Sequence, residues 1–330
     1  MKITEILGID VSKSSLDCFL YSSQLSLERT INNEKGFRSI TKWLKKNVGK
    51  DLSGLMVVME HTGIYTWQLE QYLHKHNIAY VKRPALDIKR SVGMVRGKSD
   101  KVDARFISKY GWMRKEDLKP IKPLSDQQFS LQQLMTYRDK LVADKASYQS
   151  RLKELSEHAG DSLNEKMKAS AQLVMEVLKV EIKQIEAEIE TLISEDEELT
   201  VNYELIRSVV GIGFATAVHV LITTENFTRF TDPRKFNCYC GVAPFEHTSG
   251  SSIRGRTRVS HLANKKLKSL LTMAAISAVR FDPELQLKYQ QKVKEGKAKM
   301  SALNIIRAKL IERIFAVIRK QTKYEIRLVA

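Results

Sequence analysis

Gly54-Leu55-Met56-Val57-Val58-Met59-Glu60-His61-Thr62-Gly63 is an unbroken apolar run that ends on an acid and turns into a helix start. A continuous run of this kind suits a strand buried on both faces. Glu60 stands at its C-terminal end, and Thr62-Gly63 opens an amphipathic helix through Trp67, Leu69, Tyr72 and Leu73. Upstream, residues 4–9 form a second short apolar run, ending at Asp10 in Gly8-Ile9-Asp10-Val11-Ser12-Lys13. After a polar turn, residues 16–21 read as another strand, and residues 36–47 carry the helical spacing Phe37, Ile40, Trp43, Leu44. Residues 78–81 resemble a further short strand. The order predicts a mixed α/β sheet with acids at its strand ends, where open α/β folds place their sites.

Two more acids follow, Asp100 and Asp103 in Lys98-Ser99-Asp100-Lys101-Val102-Asp103-Ala104. Asp10, Glu60, Asp100 and Asp103 have the setting of metal ligands, because carboxylates in a strongly cationic protein are most useful holding divalent cations against a phosphate backbone. An acid at a helix start also caps the helix or pairs with lysine, and either role accounts for any one of them taken alone.

The chain has 55 Lys and Arg against 38 Asp and Glu over 330 residues, a net charge of +17. That balance predicts a polyanionic partner, nucleic acid first. No apolar run approaches the roughly 18 residues of a membrane-spanning helix, and the N-terminus lacks the regions of a signal peptide, so the expected location is the cytosol. Three cysteines, Cys18, Cys238 and Cys240, lack the second ligand pair of a zinc site and read as reduced thiols. Residues 82–105 hold Lys82, Arg83, Lys89, Arg90, Arg96, Lys98, Lys101 and Arg105, read as a surface for an RNA or DNA backbone, with a solvated cationic face as the alternative; Lys13, Lys98 and Lys101 lie beside the acids, either as salt-bridge partners or to steer phosphate.

From residue 125 to 198 there is one glycine, Gly160, and no proline. Leu131, Leu134, Arg138, Leu141, Lys145, Tyr148, Leu152 and Leu155 alternate spacings of three and four, as do Leu178, Ile182, Ile185, Ile189 and Leu192. This spacing predicts a coiled-coil seam, folded as an antiparallel hairpin about Gly160; a seam closed within the hairpin is one reading, and a role in dimerisation is the expected one. Beyond it, Val210-Gly211-Ile212-Gly213 reads as the hairpin of a helix-hairpin-helix module, whose backbone N–H groups meet a DNA phosphate without reading sequence; a plain turn between packed helices is the simpler alternative. Residues 240–268 combine small residues with Ser249, Ser251, Ser252, Arg254, Arg256 and Arg258. The serines are candidate nucleophiles whose neighbouring arginines hold phosphate, or the stretch is a mobile loop that grips phosphate without chemistry.

The succession Gly-Ile-Asp-Val-Ser-Lys, Glu-x-Thr-Gly-x-Tyr, Lys-x-Asp-x-x-Asp-Ala, a long helical segment, Gly-Ile-Gly, Gly-Val-Ala-Pro and Ser-Gly-x-x-x-Arg-Gly resembles the insertion-sequence one-hundred-and-ten family of DEDD transposases, also called bridge-RNA-guided recombinases. The resemblance implies three parts: an α/β RNase H-like (RuvC-like) catalytic domain over 1–124, a coiled-coil dimerisation hairpin over 125–200, and a mainly α transposase domain with a helix-hairpin-helix over 201–330. It implies that Asp10, Glu60, Asp100 and Asp103 bind Mg2+, or Mn2+, and that Ser249 is the nucleophile forming a phosphoserine-DNA intermediate. The implied partners are donor and target DNA, a structured bridge RNA encoded by the element, and further copies of the chain, as a dimer or a synaptic tetramer. The same acids also serve a junction nuclease or resolvase that uses water. A basic surface alone suffices for a binding protein without chemistry. The phosphate loop of an actin-like ATPase is a weaker match to Gly8-Ile9-Asp10.

Overall fold

A computed structural model of the chain describes residues 2–92, 100–157, 162–249, 253–259 and 262–326. The chain divides into two compact units, Met1–Pro123 and Leu124–Ala330.

The first unit is built on a five-stranded sheet, β1 (Glu5–Val11), β2 (Ser15–Leu20), β3 (Leu25–Ile31), β4 (Leu55–Glu60) and β5 (Ala79–Arg83), in the order β3-β2-β1-β4-β5. β1 pairs antiparallel with β2 and parallel with β4, and β4 pairs parallel with β5. The centre is continuous in apolar side chains because both faces are covered. On one face, Leu7, Ile9, Val57, Met59 and Tyr80 pack under α1 (Glu34–Asn47) and α2 (Trp67–Lys75), through Phe37, Ile40, Leu44, Leu69 and Leu73. Asn33 starts α1 by accepting the Gly36 amide at 3.1 Å. On the other face, Ile6, Met56, Val58 and Val81 pack with Ile88 of α3 (Ala85–Val92) and with Ile107 and Tyr110 of α4 (Asp100–Met113).

Two glycines let α4 lie directly on the strands. A side chain at Gly8 would overlap the Ala104 carbonyl and the Ser108 amide, and one at Gly111 would come within 2.7 Å of Val58 and 2.8 Å of Ile6. Ala104 and Ser108 therefore sit over the middle of β1 and Gly111 toward its start, beside Ile6. The helix runs antiparallel to the strand, so its N-terminus is carried toward the strand's C-terminal end.

In the second unit α5 (Asp126–Glu157) and α6 (Ser162–Ser194) run antiparallel, with Gln127 donating to the Leu192 carbonyl at 2.8 Å and Arg138 reaching Glu186 at 2.6 Å. That pair accounts for Arg138, one of the two charged residues in the α5 stripe. The adjoining Asp139 accepts from His219 at 2.9 Å on α8 (Phe214–Thr224) and meets Lys266 at 2.8 Å on α10 (Lys265–Phe281). Burial pushes its carboxyl upward, but the hydrogen bonds from His219 and Lys266 outweigh this and hold it below the usual carboxylate value. The remaining helices, α7 (Glu197–Ser208), α9 (Pro233–Tyr239), α11 (Pro283–Lys294) and α12 (Lys299–Lys320), share one core with α8 and α10. No helix among the described residues is long and apolar enough to cross a membrane. Cys18, Cys238 and Cys240 are free thiols.

The segment after α12 is held by Asp282, which is 1% exposed. It caps α11 through the Leu285 amide, pairs with Arg313 at 2.7 Å and accepts the Tyr324 hydroxyl at 2.8 Å. Burial, and next the hydrogen bond to Asp282, raise the Tyr324 phenol from 10.0 to about 12. A raised folded value means that the contribution is intact below pH 10.0 and is lost as pH climbs through about 12. Urea titrations at rising alkaline pH should therefore show wild type losing stability faster than Tyr324→Phe across that window.

Candidate active site

Strand register brings the predicted acids of the first unit into a row. Ile9 pairs with Met59, so Asp10 and Glu60 come next on neighbouring parallel strands; Glu60 pairs with Arg83, and Asp10 faces Asp17 across the antiparallel side. Successive residues alternate between faces. Ile9 and Met59 point into the α1 and α2 core, so Asp10 and Glu60 lie on the α4 face with Arg83 and Asp17. The row across β2, β1, β4 and β5 thus reads Asp17, Asp10, Glu60, Arg83, with neighbours about 5 Å apart. Two ionised carboxylates at that spacing repel by about 3 kcal/mol at an effective dielectric constant of 20, which a cation between them reverses.

α4 adds Asp103, half-buried and adjacent to the Ala104 that rests on Gly8, and Asp100, which opens the helix. The Gly8 contact is thus what brings the N-terminus of α4 to the Asp10 end of the sheet. The side chain of Asp100 lies outside the described residues. Among the described residues no three His, Cys, Asp or Glu side chains form a metal-holding group. The fit to a metal is one of donor chemistry: the described acids of the set offer carboxylate oxygen only, the ligand type of a hard divalent cation.

Asp17 is the acid that sequence reasoning missed. It is 7% exposed, and its Oδ1 accepts the Arg29 amide at 2.9 Å where the β2–β3 register shifts. It satisfies a backbone donor freed by the bulge, which gives it a structural role. The available signal was a carboxylate inside the apolar run Leu16-Asp17-Cys18-Phe19-Leu20.

The cations divide into distinct environments. Lys13 in the β1–β2 turn and Lys89 and Arg90 on α3 are exposed. Lys82 was read as part of a nucleic-acid surface, and the structure corrects this: its Nζ lies 2.8 Å from Oε2 of Glu70, a carboxylate 2% exposed that also accepts the Thr66 hydroxyl at 2.6 Å. A buried carboxylate needs such partners, and Lys82 is on the face where it lies. Arg96 and Lys98 lie outside the described residues, as does the side chain of Lys101.

In the second unit Gly211, at φ +93°, turns the chain between α7 and α8. A Cβ there would stand 2.5 Å from the Ala274 carbonyl, so the turn is seated against α10. Gly213 is the N-cap of α8, with open space around its Cα. Part of the Ser/Arg stretch forms two strands. β6 (Pro244–Ser249) and β7 (Ile253–Val259) pair antiparallel, Ser249 with Ile253 and Thr248 with Arg254. Ser249 therefore ends the first strand of a hairpin whose second strand carries Arg254, Arg256 and Arg258. The side chains of these four residues, and Ser251 and Ser252 altogether, lie outside the described residues. The hairpin's root is fixed by α12, where Asn304 donates to the Val242 carbonyl at 2.7 Å.

Two family models match the chain. One for DEDD transposases of the IS110 type covers residues 7–157, and one described as "Transposase IS116/IS110/IS902 family" covers residues 203–290. The chain is also similar to the pilin gene-inverting proteins of Moraxella lacunata and Moraxella bovis, each 27% identical over 328 residues, 98% of this chain and 98% of theirs. An insertion element IS110 uncharacterized 43.6 kDa protein of Streptomyces coelicolor is 30% identical over 126 residues, 38% of this chain and 31% of that protein.

Proposed function

The chain belongs to the IS110 family of transposases and is a DNA recombinase, and from that premise we propose how its residues divide the work. Asp10, Glu60, Asp100 and Asp103 form the metal-binding half of the centre, and Ser249 supplies the nucleophile. The single observation that carries this assignment is the row of Asp10 and Glu60 on adjacent strand ends, with α4 seated on Gly8 so that Asp103 and Asp100 approach the same end.

Asp10, Glu60, Asp100 and Asp103 would hold magnesium, or manganese, which would supply Lewis-acid stabilisation of charge on the phosphate oxygens. The Ser249 hydroxyl oxygen attacks the phosphorus, the P–O3′ bond breaks, and the proton released by the serine is balanced by one taken up at the leaving 3′ oxygen. One phosphodiester is exchanged for another, so rejoining needs no ATP. Arg254, Arg256 and Arg258 grip the phosphate, and Lys13, Lys89, Arg90, Arg96, Lys98 and Lys101 track the nucleic-acid backbone. Gly211 and Gly213 present backbone N–H groups to a further phosphate.

Sequence choice is delegated to a structured RNA of the element that pairs with donor and target DNA; the protein then reads shape and backbone. Homo-oligomerisation, as a dimer and a synaptic tetramer, uses the α5–α6 hairpin, where Leu173, Val177 and Val180 form an exposed apolar stripe at helical spacing. The Moraxella relatives are named for gene inversion, a rearrangement that requires strands to be rejoined as well as cut, and this supports strand exchange over simple nicking.

The test is a denaturing gel of wild type and Ser249→Ala with magnesium, the element's RNA and labelled donor and target DNA. A protein–DNA adduct in wild type that vanishes in the variant is the expected result. Free nicks without adduct in either protein would mean hydrolysis by water, as in a resolvase. No cleavage at all would leave only a binding protein.

A further inference from the structure

Arg83 ends β5 beside Glu60, and its surroundings differ from those of its neighbour Lys82. Tyr80 and Lys82 face the α1 and α2 core, where Lys82 is spent on Glu70; Val81 and Arg83 face the side of α4 and the acid row. A guanidinium placed next to a carboxylate ordinarily pairs with it. Here Arg83 makes no ion pair among the described residues, and its Nε is buried without a hydrogen-bond partner. The chain leaving β4 adds a second group of the same kind. The His61 amide donates to the Arg83 carbonyl at 3.0 Å, which brings the next residue, Thr62, to the same edge, and Thr62 Oγ1 is also buried without a partner.

Leaving a buried polar atom unsatisfied costs on the order of 1–3 kcal/mol, and two such atoms within two positions of Glu60 in the register call for a ligand. Both are able to donate, so what they lack is an acceptor. A water molecule satisfies a hydroxyl but does not neutralise a guanidinium, whereas a phosphate oxygen serves both, and a guanidinium fork matches phosphate geometry. Glu60 remains available for a cation because Arg83 forms no ion pair with it among the described residues. We propose that Arg83 and Thr62 form a substrate clamp that holds a non-bridging oxygen of a nucleic-acid backbone phosphate next to the Asp10–Glu60 row.

The clamp rests on the assignment of that row as the strand-cleaving centre, and the experiment separates the two. Arg83→Gln, Arg83→Lys, the near-isosteric Thr62→Val and Asp10→Asn are compared with wild type in cleavage of labelled donor and target DNA with the element's RNA. Binding of fluorescein-labelled donor DNA is titrated over a range of salt, and thermal unfolding is followed for every variant. The expected result is a fall in cleavage of about 100-fold for Arg83→Gln and about 10-fold for Thr62→Val. Arg83→Gln should also flatten the slope of log affinity against log salt by about 0.9, one phosphate contact, which a purely structural role would leave unchanged. Arg83→Lys keeps the charge and hence the slope, but loses the fork and part of the rate. Should Arg83→Gln fail to fold, Thr62→Val alone decides through the cleavage rate.

Wild-type rates and an unchanged slope in the clamp variants, with Asp10→Asn inactive, overturn the clamp and leave the acid row standing. If Asp10→Asn cleaves like wild type, the acid row fails, and the salt slope of Arg83→Gln still decides whether Arg83 touches phosphate.

Discussion

Replacing Asp10 with asparagine should reduce strand cleavage by at least about a thousandfold while leaving nucleic-acid affinity within a few fold of wild type. Asparagine keeps the size of the side chain and one oxygen but removes the charge that makes the position a ligand. Asp10 sits mid-row, between Asp17 on β2 and Glu60 on β4, and on the face where α4 brings Asp103. No other residue of β1 on that face is acidic near this end, so nothing in the strand substitutes for it. Affinity, by contrast, is spread over a surface with a net charge of +17, and a single carboxylate opposes it rather than supplying it. Cleavage kinetics and fluorescence anisotropy on the same preparations separate the two effects. Undiminished cleavage would remove Asp10 from the centre.

Gly8→Ala should damage stability and activity together. The new Cβ would run into the Ala104 carbonyl and the Ser108 amide, both backbone atoms of α4, and backbone cannot rotate aside as a flexible side chain can. The helix must lift from β1, at a cost of about 3 kcal/mol from overpacking. Because Ala104 is the point of contact, the lift carries Asp103 and Asp100 away from Asp10, and cleavage falls even in the fraction that stays folded. Urea unfolding followed by circular dichroism measures the first effect, and cleavage per folded molecule the second. A Gly8→Ala protein of wild-type stability and rate would show that α4 does not depend on this contact.

The strands that carry the acids were legible because their apolar runs have no other use. Within those runs residues 5–9 and 55–59 are buried, on both faces of the sheet, and composition records that directly. β3 was not legible, since Leu25-Ser26-Leu27-Glu28-Arg29-Thr30-Ile31 is an exposed edge strand with a bulge and carries little apolar pattern. The β6–β7 hairpin was hidden for a related reason: its glycines, serines and arginines resemble a flexible connector, and Phe245, Thr248, Ile253, Thr257 and Val259 are scattered hints of strands.

The acids could be named from sequence, but their neighbours could not. That Asp10 stands beside Glu60, Glu60 beside Arg83, and Asp17 beside Asp10 follows from strand pairing across distant segments, which local pattern does not encode. The same parity separates Arg83 from Lys82. One residue of slip along β5 changes a cation that neutralises a buried glutamate into one that faces the acid row. Charge counting treated the two alike.

The most direct test of the metal-binding row is a crystal of the wild-type protein grown in manganese and measured at the manganese absorption edge. The account predicts an anomalous peak between the Asp10 and Glu60 carboxylates, with metal–oxygen distances of about 2.1 Å. A crystal that cleaves added DNA yet shows no peak there, or shows one away from the ends of β1 and β4, would contradict it.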